Sequence, residues 1–75
     1  MSVMRVLGGT GDTEVKWNPE TGEGVQSAKR VFEERRLRFG YLAFVEGPNG
    51  EGSDLIRNFD ATAEFIILAP RLVGG

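Results

Sequence analysis

Hydrophobic and polar residues alternate in a short segment near the start of the chain. In the segment 13–17, Thr13, Val15 and Trp17 share one side of an extended backbone, and the two residues between them are charged. A period of two residues is typical of a β-strand with one buried face. The segment 2–7 is mostly apolar, with β-branched Val3 and Val6 and a single charge, and the glycines between the two segments favour a turn. The pattern predicts a β-hairpin.

A helical period replaces this alternation in the middle of the chain. We predict one amphipathic helix from about residue 22 to residue 38, with charged side chains over much of its surface. Gly40 follows it and suits the left-handed residue that often ends a helix. The apolar positions expected to share one face of this helix are Val25, Ala28, Phe32 and Phe39.

The remainder of the chain predicts three further strands, at 41–46, 53–59 and 64–70, joined by a glycine-rich loop and a short connection. The last strand is apolar on both faces, since Phe65 and Ile67 alternate with two other large apolar residues. Such a strand is typical of the centre of a sheet, where both faces are buried.

The predicted order is therefore ββαβββ, an α+β protein with one helix packed across one face of a mixed sheet. This is the β-grasp (ubiquitin-like) arrangement, in which the helix is the crossover that lets the last strand lie parallel to the first. We expect one domain over residues 1–70 and a flexible tail over 71–75. The predicted core consists of Met4, Val6, Val15, Phe32, Phe44, Ile56, Ile67 and Leu68.

The amino-acid composition excludes several kinds of catalytic and metal-binding site. The 75 residues include no cysteine and no histidine, which excludes disulfides, thiolate nucleophiles, histidine bases and the usual zinc sites. We therefore expect no catalytic residue, no metal, no bound cofactor and no enzymatic activity of the chain's own. A formal charge of −2 argues against binding to nucleic acid or membranes through bulk charge. The chain offers no membrane span or signal segment, so we expect it in the cytoplasm.

Positive charges concentrate on the predicted helix, at Lys29, Arg30, Arg35, Arg36 and Arg38. The simpler interpretation is a solvated helix face, because cations are favourable near a helix C-terminus. The alternative is a patch that binds an acidic partner, for which clustered basic residues are necessary but not sufficient.

The end of the sequence, APRLVGG, carries the most specific motif. Pro70 has no N–H and ends the pairing of the last strand, so it determines where the tail leaves the sheet. Gly74 and Gly75 have no Cβ, so they can thread a narrow channel and present an unhindered carboxylate. Arg71 and Leu72 are the candidates for docking the tail in that channel.

This ending resembles that of the β-grasp sulfur carriers, such as the small subunit of molybdopterin synthase, which end in Pro-Pro-Val-x-Gly-Gly. Pro70, Leu72, Gly74 and Gly75 match that pattern in register, with Arg71 at the second proline. The sequence is also similar to the ubiquitin ending, Leu-Arg-Leu-Arg-Gly-Gly.

The resemblance implies a carrier or modifier whose Gly75 carboxylate is adenylated by a partner enzyme, with the ATP used by that enzyme, and is then thiocarboxylated or conjugated. The implied partners are the activating enzyme and an acceptor protein or sulfur-utilising enzyme. The residues do not decide between sulfur transfer and conjugation. The alternative from another class is a non-catalytic β-grasp interaction module, which could be encoded on a mobile element and would bind a protein or acidic partner through its sheet or basic helix.

Overall fold

The computed structural model describes residues 1–8, 11–46 and 53–71. Over these residues the predicted order of strands and helix is confirmed. The elements are β1 (Ser2–Val6), β2 (Thr13–Trp17), α1 (Val25–Glu33), a π-helical turn (Glu34–Arg38), β3 (Leu42–Glu46), β4 (Ser53–Ile56) and β5 (Phe65–Ala69). The predicted loop at 47–52 lies outside the described residues, as does the middle of the β1–β2 loop.

The five strands form one mixed sheet in the order β2-β1-β5-β3-β4. β5 pairs with β1 in parallel and with β3 antiparallel, and the two outer pairs, β1–β2 and β3–β4, are antiparallel. The prediction that the last strand is central is therefore confirmed. The described chain is a small α+β unit in which one helix packs against one face of the sheet.

The core lies between α1 and the sheet. Its members are Met4, Val6, Trp17, Ala28, Phe32, Ala43, Ala63, Ile66 and Leu68. The indole N–H of Trp17 donates a hydrogen bond to the Ala61 carbonyl at 2.9 Å, which satisfies the one polar group of this side chain. Phe59 connects the two largest core residues, because its ring lies 5.1 Å from that of Trp17 and 5.6 Å from that of Phe32.

The predicted core is correct at most positions. Met4, Val6, Phe32 and Leu68 are buried, and Val15 and Ile56 are partly buried against them. These residues come from four of the strands and from the helix, so the small core joins every layer of the fold.

Two core predictions are wrong: Phe44 and Ile67 lie on the face of the sheet that points away from the helix. They are cross-strand partners in the β3–β5 register, whereas the neighbouring pair of Ala43 and Leu68 is buried. Successive side chains in a strand point to opposite faces. Ile66 therefore occupies the inward position expected for Ile67, and the small Ala43 replaces Phe44 beneath the helix.

The helix runs to Arg38 as predicted, but it begins later than predicted and its last turn is not α-helical. α1 begins at Val25, after a left-handed Gly24 (φ 83°), and its last turn is π-helical over Glu34–Arg38. A π turn hydrogen-bonds to the fifth residue rather than the fourth, so the apolar face shifts around the axis. Phe39 is consequently 53% exposed and does not share the buried face of Phe32. Gly40 has a φ of 69°, which confirms the predicted left-handed residue after the helix.

Candidate functional site

The tail leaves the sheet at the end of its central strand. β5 ends at Ala69, and both Pro70 and Arg71 are exposed. Leu72, Gly74 and Gly75 lie outside the described residues, so their predicted roles stay predictions. The tail therefore begins at the C-terminal end of β5, the strand that lies between β1 and β3.

The face of the sheet opposite the helix, called here the outer sheet face, is apolar along its middle. Its centre is the Phe44–Ile67 pair, and Leu55 on β4 is 58% exposed beside Phe44. The apolar residues of this face are Val3, Leu42, Phe44, Leu55, Phe65, Ile67 and Ala69. An apolar surface that spans four adjacent strands is typical of an interaction site when it is not used inside the fold.

One edge of the outer sheet face is polar. Arg5 on β1 forms an ion pair with Glu14 on β2 at 3.2 Å, and its guanidinium lies 5.9 Å from the centre of the Phe65 ring. Both charged side chains are a little under half exposed (44% and 45%), so the ion pair itself contributes little stability. The two contacts place the Arg5 guanidinium between Glu14 and Phe65, at the border of the apolar surface.

The outer sheet face adjoins the start of the tail. Ile67 and Ala69 belong to this face, and the exposed Arg71 is two residues beyond Ala69 in the sequence. At about 3.3 Å per residue, an extended chain places Arg71 about 13 Å from Ile67. A partner that holds the tail near Arg71 is therefore within reach of the apolar side chains of β5 and β3.

The structure divides the basic residues of the helix into two groups. Lys29, Arg30 and Arg38 are exposed, whereas Arg35 and Arg36 are half-buried. The guanidinium of Arg35 lies 5.5 Å from the Phe39 ring and 5.7 Å from the Tyr41 ring. These cation–π contacts tie Arg35 to the end of the helix.

Arg36 connects the helix to the segment after β4. Its Nη1 donates a hydrogen bond of 2.6 Å to the Arg57 carbonyl, across 21 positions of sequence. The basic residues therefore do not form one continuous solvated face.

Sequence reasoning missed a groove beside this contact. The helix and the segment after β4 enclose a cavity of about 270 Å³, called here the basic groove. Its lining residues are Lys29, Phe32, Glu33, Arg36, Leu37, Arg57, Asn58 and Phe59. The sequence feature that could have indicated this groove is Leu37, a lone leucine among arginines that does not fit the apolar face of the helix. In the structure, Leu37 is 82% exposed.

Neither a metal cluster nor a known relative identifies a chemistry for the described part of the chain. Among residues 1–8, 11–46 and 53–71, no three His, Cys, Asp or Glu side chains are placed so that they could hold a metal ion. Over the same residues, no helix is long and apolar enough to cross a membrane. Comparison with protein-family models, curated proteins and solved structures gave no match. The resemblance of the tail to the sulfur carriers thus stays a prediction.

Proposed function

We propose that this chain is a β-grasp protein that acts as a sulfur carrier or protein modifier through the carboxylate of Gly75. A partner enzyme adenylates this carboxylate with ATP and releases pyrophosphate. Sulfide or an amine then attacks the acyl-adenylate and displaces AMP, which leaves a thiocarboxylate or an amide bond, respectively. Because the chain lacks cysteine and histidine, the partner enzyme supplies the groups that bind ATP and move protons.

The observation that carries this proposal is the position of β5. The strand is central, runs parallel to β1 and leads directly into exposed Pro70 and Arg71. A central strand is held on both sides, so the point from which the tail extends is rigid relative to the sheet. The five residues from Arg71 to Gly75 can then reach roughly 16 Å into a partner's channel.

The outer sheet face supports the same proposal as the docking surface for the activating enzyme. It is apolar next to the start of the tail, and the ion pair of Arg5 and Glu14 lies at its edge. A partner that buries Phe44 and Ile67 would hold the tail in one direction, so that little orientational freedom is left to lose when Gly75 enters the active site.

The experiment is intact-mass analysis of the protein purified from its native cells. Replacement of one oxygen by sulfur at the C-terminus identifies a carrier, and a heavy adduct joined through Gly75 identifies a modifier. The matched control is the variant that lacks Gly74 and Gly75, which should gain neither. A wild-type protein found only in its unmodified form, with full cellular activity for the truncated variant, would contradict the proposal.

A second candidate is a β-grasp interaction module that never uses its tail, and the specific observation that favours it is exposed Leu55 beside Phe44 on the outer sheet face. In that case the truncated variant keeps its activity, while Leu55→Ser abolishes partner binding. A neighbouring gene for an adenylating enzyme would favour the first candidate.

A further inference from the structure

The basic groove has two aromatic residues, Phe32 and Phe59, as its floor, and most of its other lining residues are polar or charged. Phe32 is almost completely buried at its base, and the Phe59 ring packs edge-on against it at 5.6 Å. Leu37 is 82% exposed at the rim. The cavity of about 270 Å³ is slightly smaller than the 300–1,000 Å³ of typical small-molecule pockets, so it fits one large side chain rather than a drug-sized ligand.

The charge around this floor is positive. Lys29 and Arg36 line the helix side and Arg57 lines the opposite side, with Glu33 as the one acidic residue in the lining. Three cations and one anion give the groove a formal charge of +2, although the whole chain carries −2. The groove is therefore a local positive site on an acidic protein.

Arg36 also places in the groove lining a hydrogen-bond donor, its Nε, that is unpaired within the described part of the chain. Its Nη1 is held by the Arg57 carbonyl at 2.6 Å, but its Nε is buried and has no hydrogen-bond partner among the described residues. Buried donors are nearly always paired, and an unpaired one costs free energy. A carboxylate oxygen that reached this edge of the guanidinium would satisfy the donor.

We propose that the basic groove binds an acidic segment of a partner protein. One large apolar side chain of the segment enters the cavity over Phe32 and Phe59, and its flanking carboxylates pair with Lys29, Arg36 and Arg57. The inference does not rest on the tail or on the outer sheet face, since the groove lies on the helix side of the molecule.

The groove fits a peptide better than a nucleic acid. Proteins that bind duplex DNA commonly pair about 6–10 phosphates with basic residues, and this groove offers three cations beside an acidic Glu33. The negative charge of the rest of the chain would repel a long polyanion. A short acidic segment places its charges only where the cations lie.

The test uses the full chain, labelled with ¹⁵N, and a set of capped pentapeptides. Each peptide has Asp-Glu before and Glu-Asp after a central Leu, Ile, Met, Phe, Tyr or Trp. We expect at least one peptide to bind and to shift the amide signals of Lys29, Arg57 and Asn58. Raising the salt from about 0.05 M to about 0.3 M should weaken binding, because the carboxylate pairs are screened.

Two variants and one matched control locate the site. Arg57→Gln should raise the dissociation constant about fivefold through loss of one charged pair, and Leu37→Ser should raise it by removing the apolar rim. Arg30→Gln removes the same charge as Arg57→Gln, but from a residue of α1 outside the groove lining, so it should leave binding nearly unchanged. All three side chains are exposed, and each variant is expected to fold.

Three results would overturn the proposal. The first is that no peptide of the set binds, and the second is that Arg30→Gln weakens binding as much as Arg57→Gln. The third is that a short DNA duplex, or the peptide with a central alanine, binds as well as the best peptide. If no peptide binds, the groove is not a peptide-binding site. If Arg30→Gln weakens binding equally, the peptide binds elsewhere on the chain. If the duplex or the alanine peptide binds as well, the site recognises negative charge alone and not an acidic segment with an apolar side chain.

Discussion

Phe44 and Ile67 are direct cross-strand partners on β3 and β5, and both side chains point away from the helix. One register position further, Ala43 and Leu68 form the buried pair beneath α1. β3 and β5 thus present apolar side chains on both faces of the sheet, but only one face belongs to the core.

We expect the two faces to differ in their effect on stability. Phe32→Ala should lower the free energy of unfolding by about 3–5 kcal/mol, because it leaves a cavity between helix and sheet. Phe44→Ala should cost clearly less, because this side chain keeps contact with water in the folded state. Urea unfolding followed by circular dichroism measures both. Equal losses would mean that Phe44 is a core residue after all.

Gly24 and Gly22 offer a matched pair of substitutions. Both glycines have a φ of 83°, but a Cβ on Gly24 would lie 2.9 Å from the Lys16 carbonyl oxygen, and a Cβ on Gly22 would meet nothing within 4 Å. Gly22→Ala should therefore cost about 1–2 kcal/mol for the left-handed backbone alone. Gly24→Ala should cost more, because β2 must also move. Thermal unfolding of the two variants tests the difference, and identical melting temperatures would contradict it.

The hydrogen bond of the Trp17 indole should contribute to stability in addition to the packing of its ring. Trp17→Phe keeps an aromatic ring against Phe59 but leaves the Ala61 carbonyl without its donor at 2.9 Å. We expect a loss of about 1–3 kcal/mol, together with the cost of the smaller ring. Chemical denaturation monitored by circular dichroism measures the loss. Faster hydrogen exchange of amides in the 60–63 turn would show that the effect reaches this segment.

The tail should contribute to function and not to stability. Deletion of Gly74 and Gly75 is expected to change the melting temperature by no more than about 2 °C, because terminal residues that lack side chains bury little surface. The same deletion should abolish adenylation by the activating enzyme in a pyrophosphate-release assay.

Gly75→Ala is the more sensitive version of this test. It keeps the length and the carboxylate and adds one methyl group, so a strong loss of adenylation would indicate a narrow channel. Normal adenylation of the alanine variant would show that the channel does not require glycine.

Local patterns were sufficient for the elements and their order. The period-2 segment 13–17 is β2 with the predicted bounds, and the helix ends at the predicted residue because Gly40 takes the left-handed conformation. The FIIL segment is apolar on both faces, which placed β5 in the centre of the sheet. These features depend on residues that are close in sequence, so they do not require knowledge of the tertiary structure.

Within the described residues, the sequence by itself thus determined the order of the strands and the helix and the central place of β5, although the strand predicted at 53–59 ends at Ile56. Only the tertiary structure decided which face of β3 and β5 lies beneath the helix, because a strand that is apolar on both sides has no pattern to distinguish them. The basic groove was decided in the same way. Arg36 and Arg57 are 21 positions apart, and their contact depends on how the helix packs beside the end of β4, which no local period encodes.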